Sequence, residues 1–122
     1  MTINDGTIEP ASRLLRRIHP SQIVDDERLG RRRPSSAAFK DPELSVDVEP
    51  FLHEQGLDHQ FCLQSTPGYS LAAIVASGCT ALGLLVRHSP VAGNAAHAEV
   101  HGKKTGSISN QLALQAAWVV QI

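Results

Sequence analysis

The chain has 122 residues, 42% of them hydrophobic and 19% charged, which fits one ordinary globular domain and leaves no room for a second. Its formal net charge of -1 argues against bulk electrostatic binding of duplex nucleic acid, which needs a clear positive excess. No apolar run approaches the roughly 18 residues of a membrane span, and the N-terminus lacks the pattern of a secretory signal. We therefore expect a cytoplasmic protein without membrane contact.

The first part of the chain combines a polar start with a short apolar-periodic segment. Residues 1–9 predict a flexible tail, and residues 10–122 predict a single domain. From Pro10 onward, three apolar residues share one helical face, which predicts a short helix, with a strand as the alternative. These residues are Leu14, Leu15 and Ile18.

Residues 31–39, RRRPSSAAF, are predicted to be exposed. Three adjacent arginines cannot all be buried, and Pro34 is incompatible with regular pairing in a central strand. Arginine forks beside serine hydroxyls suit phosphate or carboxylate, although a merely solvated cluster has the same composition. The anion-binding set predicted from the sequence is Arg32, Arg33, Ser35 and Ser36, joined by Lys104 from a later segment.

The remaining chain predicts strands and helices by their periodicity. Strands are expected at residues 44–48, 69–76, 84–88 and 96–101. A short helix is expected at residues 50–55, anchored by Phe51 and Leu52, and a longer one near the C-terminus. The C-terminal helix carries Ile108, Leu112, Ala116 and Val119 on its apolar face. Residues 77–83 fit either a turn or a short helix. About four strands with two or three helices packed on the sheet give an α+β domain.

Polar chemistry is concentrated in residues 94–109, NAAHAEVHGKKTGSIS. Alternation with alanine and valine places His97, Glu99 and His101 on one face of a strand. Gly102 and the lysines Lys103 and Lys104 then precede a helix N-terminus, a natural position for an anion. An ordinary solvent-facing surface explains the same pattern. A phosphate-binding P-loop does not fit, because His97 stands where the motif needs its first glycine, and Lys104 rather than serine or threonine follows Lys103.

These residues suggest a catalytic hypothesis. His19 and His97 could act as an acid–base pair with Lys103 as electrostatic stabiliser, cleaving RNA or hydrolysing a nucleotide without a metal. Both imidazoles would then have to lie within about 7 to 8 Å of each other to reach one phosphate. A metal site at His97, Glu99 and His101 ranks lower because the following lysines would repel a cation, so no metal or cofactor is predicted. Whether the protein is an enzyme stays open.

Five short segments are similar to a family of short, uncharacterised bacterial proteins. They are RRIHP, RPSSAAF, ELSVD, PGYSLA and NAAHAEVHGKKT. That family has an HP dipeptide, an R-x-SSxAF segment and an NPAHAxVxGKK segment. This chain departs from it at Ala95, where the family has proline. The resemblance covers residues 19–119 and implies a single bacterial domain, with no assigned activity.

Two further interpretations belong to other functional classes. NAD-using toxin domains of the RES and ADP-ribosyltransferase type surround their dinucleotide with an early Arg, a later Ser or Tyr, and a Glu. This chain has that order in Arg17, Ser36 and Glu99. Three scattered residues make this resemblance a minor alternative. The small size and the arginine-rich segment opposite an acidic one also fit a non-enzymatic accessory or inhibitor subunit of a bacterial toxin or defence system. Its partner would be a protein encoded alongside it. Cys62 and Cys79 show no metal spacing, so free buried thiols are expected.

Overall fold

A computed structural model describes residues 8–121. These residues form eight strands and three α-helices, in two sheets. The strands are β1 (Arg13–Ile18), β2 (Ile23–Asp26), β3 (Arg31–Pro34), β4 (Glu43–Val48), β5 (Ser70–Val75), β6 (Leu85–His88), β7 (His97–His101) and β8 (Ala117–Val120). The α-helices are α1 (Glu49–Glu54), α2 (Ala76–Thr80) and α3 (Gly106–Gln115). Short 3-10 helices occupy Pro20–Gln22, Ser36–Phe39 and His59–Leu63.

The main sheet is antiparallel throughout and has the strand order β6-β7-β4-β1-β5-β8. Strands β2 and β3 form a separate two-stranded hairpin. Pro34 ends β3 in this hairpin, where a missing backbone donor costs little. The α+β class predicted from the sequence is confirmed, but the number of strands is twice the four expected.

The helix predicted at Leu14 is wrong and the strand named as its alternative is confirmed, because this segment is β1 at the centre of the sheet. Leu14 and Ile18 point to one face of the strand, and Leu15 points to the other. All three are buried, since both faces of a central strand are covered here. Because both faces are buried, β1 lacks the alternation of apolar and polar residues that marks a strand. Its apolar residues therefore resemble the apolar face of a helix.

Two layers cover the main sheet. The helix Ser36–Phe39 lies on the face of Arg16, which donates from Nε to the Ala38 carbonyl at 3.2 Å, and α3 packs against this helix. On the opposite face, the helix His59–Leu63 contacts β1 and β5. That second layer stops short of the other half of the face, where β6 and β7 keep polar side chains partly exposed.

The remaining predictions from periodicity have mixed outcomes. The four expected strands are confirmed as β4, β5, β6 and β7, and the short helix with buried Phe51 and Leu52 is confirmed as α1. The C-terminal helix is shorter than predicted, because β8 follows it and pairs with β5 at the edge of the sheet. The residues expected as turn or helix after β5 form α2.

The predicted tail, residues 1–9, lies mostly outside the described residues, but Ile8 packs against the core. None of the helices within residues 8–121 is both long enough and apolar enough to cross a membrane.

Candidate functional site

Strand β7 presents a row of polar side chains, as its alternation predicts. Its burial alternates between half-buried and buried positions, with His97, Glu99 and His101 on the half-buried side. Antiparallel pairing with β4 gives each of them a cross-strand neighbour on the same face. The pairs are His97 with Asp47, Glu99 with Ser45, and His101 with Glu43.

His97 and His19 do not lie together, so the proposed acid–base pair is not assembled. His97 is level with Asp47, which is level with Leu15, whereas His19 lies four residues beyond Leu15. That offset is about 13 Å along the strand, and β7 lies two strands, or about 10 Å, from β1. The hydrogen bond of His97 Nδ1 to the Ser89 carbonyl, 2.8 Å long, also holds its ring on the β6 side.

The His19 ring is held on the other side of β1. The backbone N–H of Ser21 donates to His19 Nδ1 at 3.0 Å, and the ring meets Tyr69 edge-on with centroids 5.1 Å apart. Tyr69 immediately precedes β5, the strand on the far side of β1 from β4 and β7. Because Nδ1 accepts this hydrogen bond, the neutral ring carries its proton on Nε2.

The two lysines after β7 have different environments. Lys103 is exposed, whereas Lys104 is 9% exposed and donates from Nζ to the carbonyls of Val100 and Gly102 at 2.7 and 3.0 Å. Burial lowers the pKa of Lys104, and the charge of Asp41 opposes this effect. Backbone oxygens accept two of the three N–H donors of Lys104, so its anion-binding role stays a prediction that this geometry does not favour. The helix N-terminus is instead capped by Thr105, whose side-chain oxygen accepts from the Ile108 N–H.

The predicted arginine cluster is largely neutralised within the β2–β3 hairpin. Arg33 donates from Nε to Asp26 at 2.6 Å, with side chains only 17% and 12% exposed, and holds the pKa of that carboxyl below its usual range. Arg32 donates to Asp25 at 3.1 Å in a more exposed pair. The cross-strand register places Val24 opposite Arg33 and Asp25 opposite Arg32. An anion would have to compete with these carboxylates, so the structure does not favour Arg32 and Arg33 as its ligands.

The serines of this segment lie at the start of a short helix. Ser35 is the N-terminal cap residue of the helix Ser36–Phe39, and its N–H donates to the Gln22 carbonyl at 2.7 Å. Ser36 lies on the Arg16 face of the sheet, while Arg17, the next residue of β1, points to the opposite face. The NAD-toxin set of Arg17, Ser36 and Glu99 is therefore split between two faces.

A basic concavity lies around His19. We refer to this surface as the His19 cleft; it has a volume of about 540 Å³. Its lining residues are Arg16, Arg17, His19, Ser21, Gln22, Thr66 and Tyr69. Within residues 8–121, no aspartate or glutamate lines it. The cleft therefore combines positive charge, hydroxyl groups and an aromatic ring.

Three residues of the His19 cleft differ in how their donors are used. Arg16 gives Nε and Nη1 to the carbonyls of Ala38 and Ser45, and burial lowers its pKa. Its role is mainly structural. Arg17 is exposed at the cleft. Thr66 Oγ1 is buried and makes no hydrogen bond within the described part of the chain, so a polar donor or acceptor there is unsatisfied.

A second, smaller cleft of about 240 Å³ lies beside the first and shares Arg17 with it. Here Asn94 donates to Asp47 Oδ1 at 2.6 Å, which ties the loop before β7 to β4. Cys62 also lines this cleft, and burial followed by the nearby Asp47 carboxylate raises the pKa of its thiol. This thiol is not activated as a nucleophile, since activation needs a lowered pKa.

Sequence reasoning missed Tyr69 and Glu43 as candidate site residues. A signal existed for Glu43, because the alternation of LSVDV extends one step earlier and puts Glu43 on the same face as Asp47. No comparable local signal links Tyr69 to His19, since their contact depends on the pairing of β1 with β5.

No protein-family model, curated protein or solved structure matches this chain.

Proposed function

We propose that the protein binds a phosphate-containing small molecule, such as a nucleotide, in the His19 cleft. The observation that carries this proposal is the composition of the lining, with two arginines and a histidine and, among residues 8–121, no carboxylate. A concave site with one sign of charge favours the opposite charge in its ligand. The volume of about 540 Å³ lies in the range of small-molecule sites.

Each proposed contact follows from a donor with a known environment. The exposed Arg17 guanidinium supplies forked donors for phosphate oxygens. His19 supplies Nε2–H, because its Nδ1 already accepts from Ser21. Tyr69 adds an aromatic surface at which a base can stack, and such stacking contributes about 1 to 3 kcal/mol per base.

The proposal is for binding and leaves out cleavage by a His19–His97 pair. The strand register separates these residues by four positions and two strands, and their rings turn toward Tyr69 and Ser89, respectively. One phosphate cannot meet both imidazoles in this arrangement. Lys103, the proposed stabiliser, follows β7, which lies two strands from β1 in the sheet.

Calorimetric titration with AMP and with inorganic phosphate tests the proposal. We expect Arg17→Gln and His19→Gln each to weaken AMP binding about tenfold, the effect of losing one charge-assisted contact of about 1.4 kcal/mol. Arg31→Gln is the matched control, because Arg31 is exposed in the hairpin and its loss changes net charge equally. Equal AMP affinity in all three variants and the wild type would contradict the proposal, as would absence of AMP binding.

Protein binding as an accessory subunit is a second candidate, supported by one apolar observation. Leu29 and Leu114 are 45% and 43% exposed and both line a groove of about 640 Å³ between the β2–β3 hairpin and α3. The rest of the lining is charged or polar, so the groove offers a partner both apolar and charged contacts. Co-purification with the protein encoded alongside, lost in the double variant Leu29→Ser/Leu114→Ser, would support it. Retention of the partner by that variant would argue against this surface.

A further inference from the structure

The half-exposed end of the β4–β7 pair brings together three side chains that ligate metals. Glu43, Glu99 and His101 each offer one donor atom, and these atoms all lie within 4.8 Å of one another. We propose that they form a binding site for a divalent transition metal such as Zn²⁺. This site is separate from the His19 cleft, with which it shares no residue, and does not rest on the function proposed for that cleft.

The backbone fixes the spacing of these ligands. Glu43 and His101 are directly opposite each other in the β4–β7 register, and Glu99 lies two residues earlier on the same face of β7. Opposed side chains leave the backbone about 5 Å apart. The other face of this pair is packed into the core, with Leu44 and Val100 fully buried. The three ligand roots are therefore held on a rigid support.

The donor set suits a borderline metal. One imidazole nitrogen and two carboxylate groups are common ligands of Zn²⁺, and three protein ligands leave further coordination positions for water or a substrate. His101 Nε2 lies 2.9 Å from Glu99 Oε1, so in the metal-free protein the imidazole donates to the carboxylate. When a metal binds Nε2, the neutral ring carries its proton on Nδ1 instead, so the imidazole stays uncharged and both carboxylates face the ion.

Nearby cationic groups limit but do not remove the attraction for a cation. Arg87 is the cross-strand neighbour of Glu99, and Lys103 is exposed two residues after His101. Lys104, however, is committed to the carbonyls of Val100 and Gly102. The two carboxylates balance the charge of one divalent ion. Lys104 keeps its positive charge in these bonds, so the two carboxylates act against Lys103, Lys104 and Arg87 in attracting a cation.

His97 does not belong to this cluster, although the sequence placed it in the metal version of the site. It is four residues from His101 along β7, about 13 Å at the rise of a strand, and its Nδ1 donates to the Ser89 carbonyl. Glu43 takes its place through the cross-strand pairing. This exchange makes His97 a matched control, since it is a histidine on the same face of the same strand.

Zinc titration of the chelator-treated full chain by calorimetry tests the site. We expect one Zn²⁺ per chain, and Glu99→Gln and His101→Gln should weaken binding by at least the 10- to 100-fold typical of lost ligand-supporting contacts. His97→Gln should leave the affinity unchanged, and Glu54→Gln, at an exposed carboxylate in α1, controls for the loss of negative charge. Unchanged affinity in the two site variants would overturn the proposal.

X-ray absorption at the zinc edge gives a second measurement on the wild-type chain, which does not depend on folding of a variant. The expected first shell contains one nitrogen and several oxygens and no sulfur. A shell with sulfur or with several imidazoles would overturn the assignment by pointing to the cysteines or to other histidines. Failure of Zn²⁺ to bind more tightly than about 0.1 mM, or 5.5 kcal/mol, would also overturn it.

Discussion

The ammonium group of Lys104 donates to the carbonyl oxygen of Val100, four residues earlier, at 2.7 Å. A second bond of 3.0 Å reaches the Gly102 carbonyl, so one buried cation satisfies the end of β7. Lys103 makes no such contribution, as its side chain is exposed. Of these two adjacent lysines, Lys104 therefore stabilises the backbone and Lys103 faces solvent.

This difference predicts unequal effects on stability. Lys104→Ala leaves two carbonyl oxygens without their donor, and we expect a loss of about 1 to 3 kcal/mol in the free energy of unfolding. Lys103→Ala, its matched control, should change that free energy by less than about 0.5 kcal/mol. Urea denaturation followed by circular dichroism measures both. Equal losses in the two variants would show that the buried hydrogen bonds of Lys104 are not stabilising.

The ion pair of Arg13 and Glu49 predicts a pH-dependent contribution. Arg13 donates from Nε and Nη2 to the two oxygens of Glu49 at 2.8 Å each, and these hydrogen bonds lower the pKa of Glu49. Because the folded-state pKa is the lower one, the stabilisation is present above the ordinary value of 4.5 and is lost as pH falls through the folded-state pKa. Arg13→Gln should therefore cost about 1 kcal/mol at pH 7 and progressively less in acid.

Thermal unfolding of wild type and Arg13→Gln between neutral and strongly acidic pH measures this effect. Arg31→Gln, at an exposed arginine of the hairpin, controls for the general change in charge. A difference in unfolding temperature between wild type and Arg13→Gln that stays constant over this pH range would contradict a role for the Glu49 carboxylate.

Both cysteine thiols are expected to be unreactive in the folded protein. Burial raises the pKa of Cys79 to about 11, although the charge of Lys104 opposes the shift, and burial also raises the pKa of Cys62. Thiolate is the reactive form, so at pH 8 only about one Cys79 in a thousand is ready to react. Labelling with Ellman's reagent should be slow for native protein and should reach two thiols per chain in guanidinium. Rapid labelling of the folded chain would indicate an accessible, activated thiol.

Two glycines near β7 predict opposite responses to alanine. Gly102 has a φ of +137°, and a Cβ there would lie 2.7 Å from Leu84 Cδ2. We expect Gly102→Ala to lower the free energy of unfolding by about 1 to 3 kcal/mol, as usual for strained backbone. Gly106, in α3, has open space at its Cβ position, so Gly106→Ala should be neutral or stabilising by up to about 1 kcal/mol. Chemical denaturation compares them, and a Gly102→Ala protein as stable as wild type would contradict the predicted strain.

Local patterns were sufficient for the elements with one face exposed and for β5, a buried strand with an apolar, partly branched sequence. Alternation identified β7 and put His97, Glu99 and His101 on one side, and the same pattern in β4 put Leu44, Val46 and Val48 inward. The short helix α1 was identified from Pro50 and its two apolar anchors, because these signals lie within a few residues of one another.

The sequence by itself thus determined the α+β class, four of the strands and the polar face of β7, since each depends on neighbours in the chain. Tertiary structure alone decided that β1 is a strand buried on both faces. It also decided that Asp25 and Asp26 form ion pairs with Arg32 and Arg33, the arginines expected to bind an anion. It also decided that His19 meets Tyr69 while Glu43 meets His101. These contacts depend on the order and register of the paired strands. Packing over the whole domain selects that order and register, so no local sequence pattern predicts them.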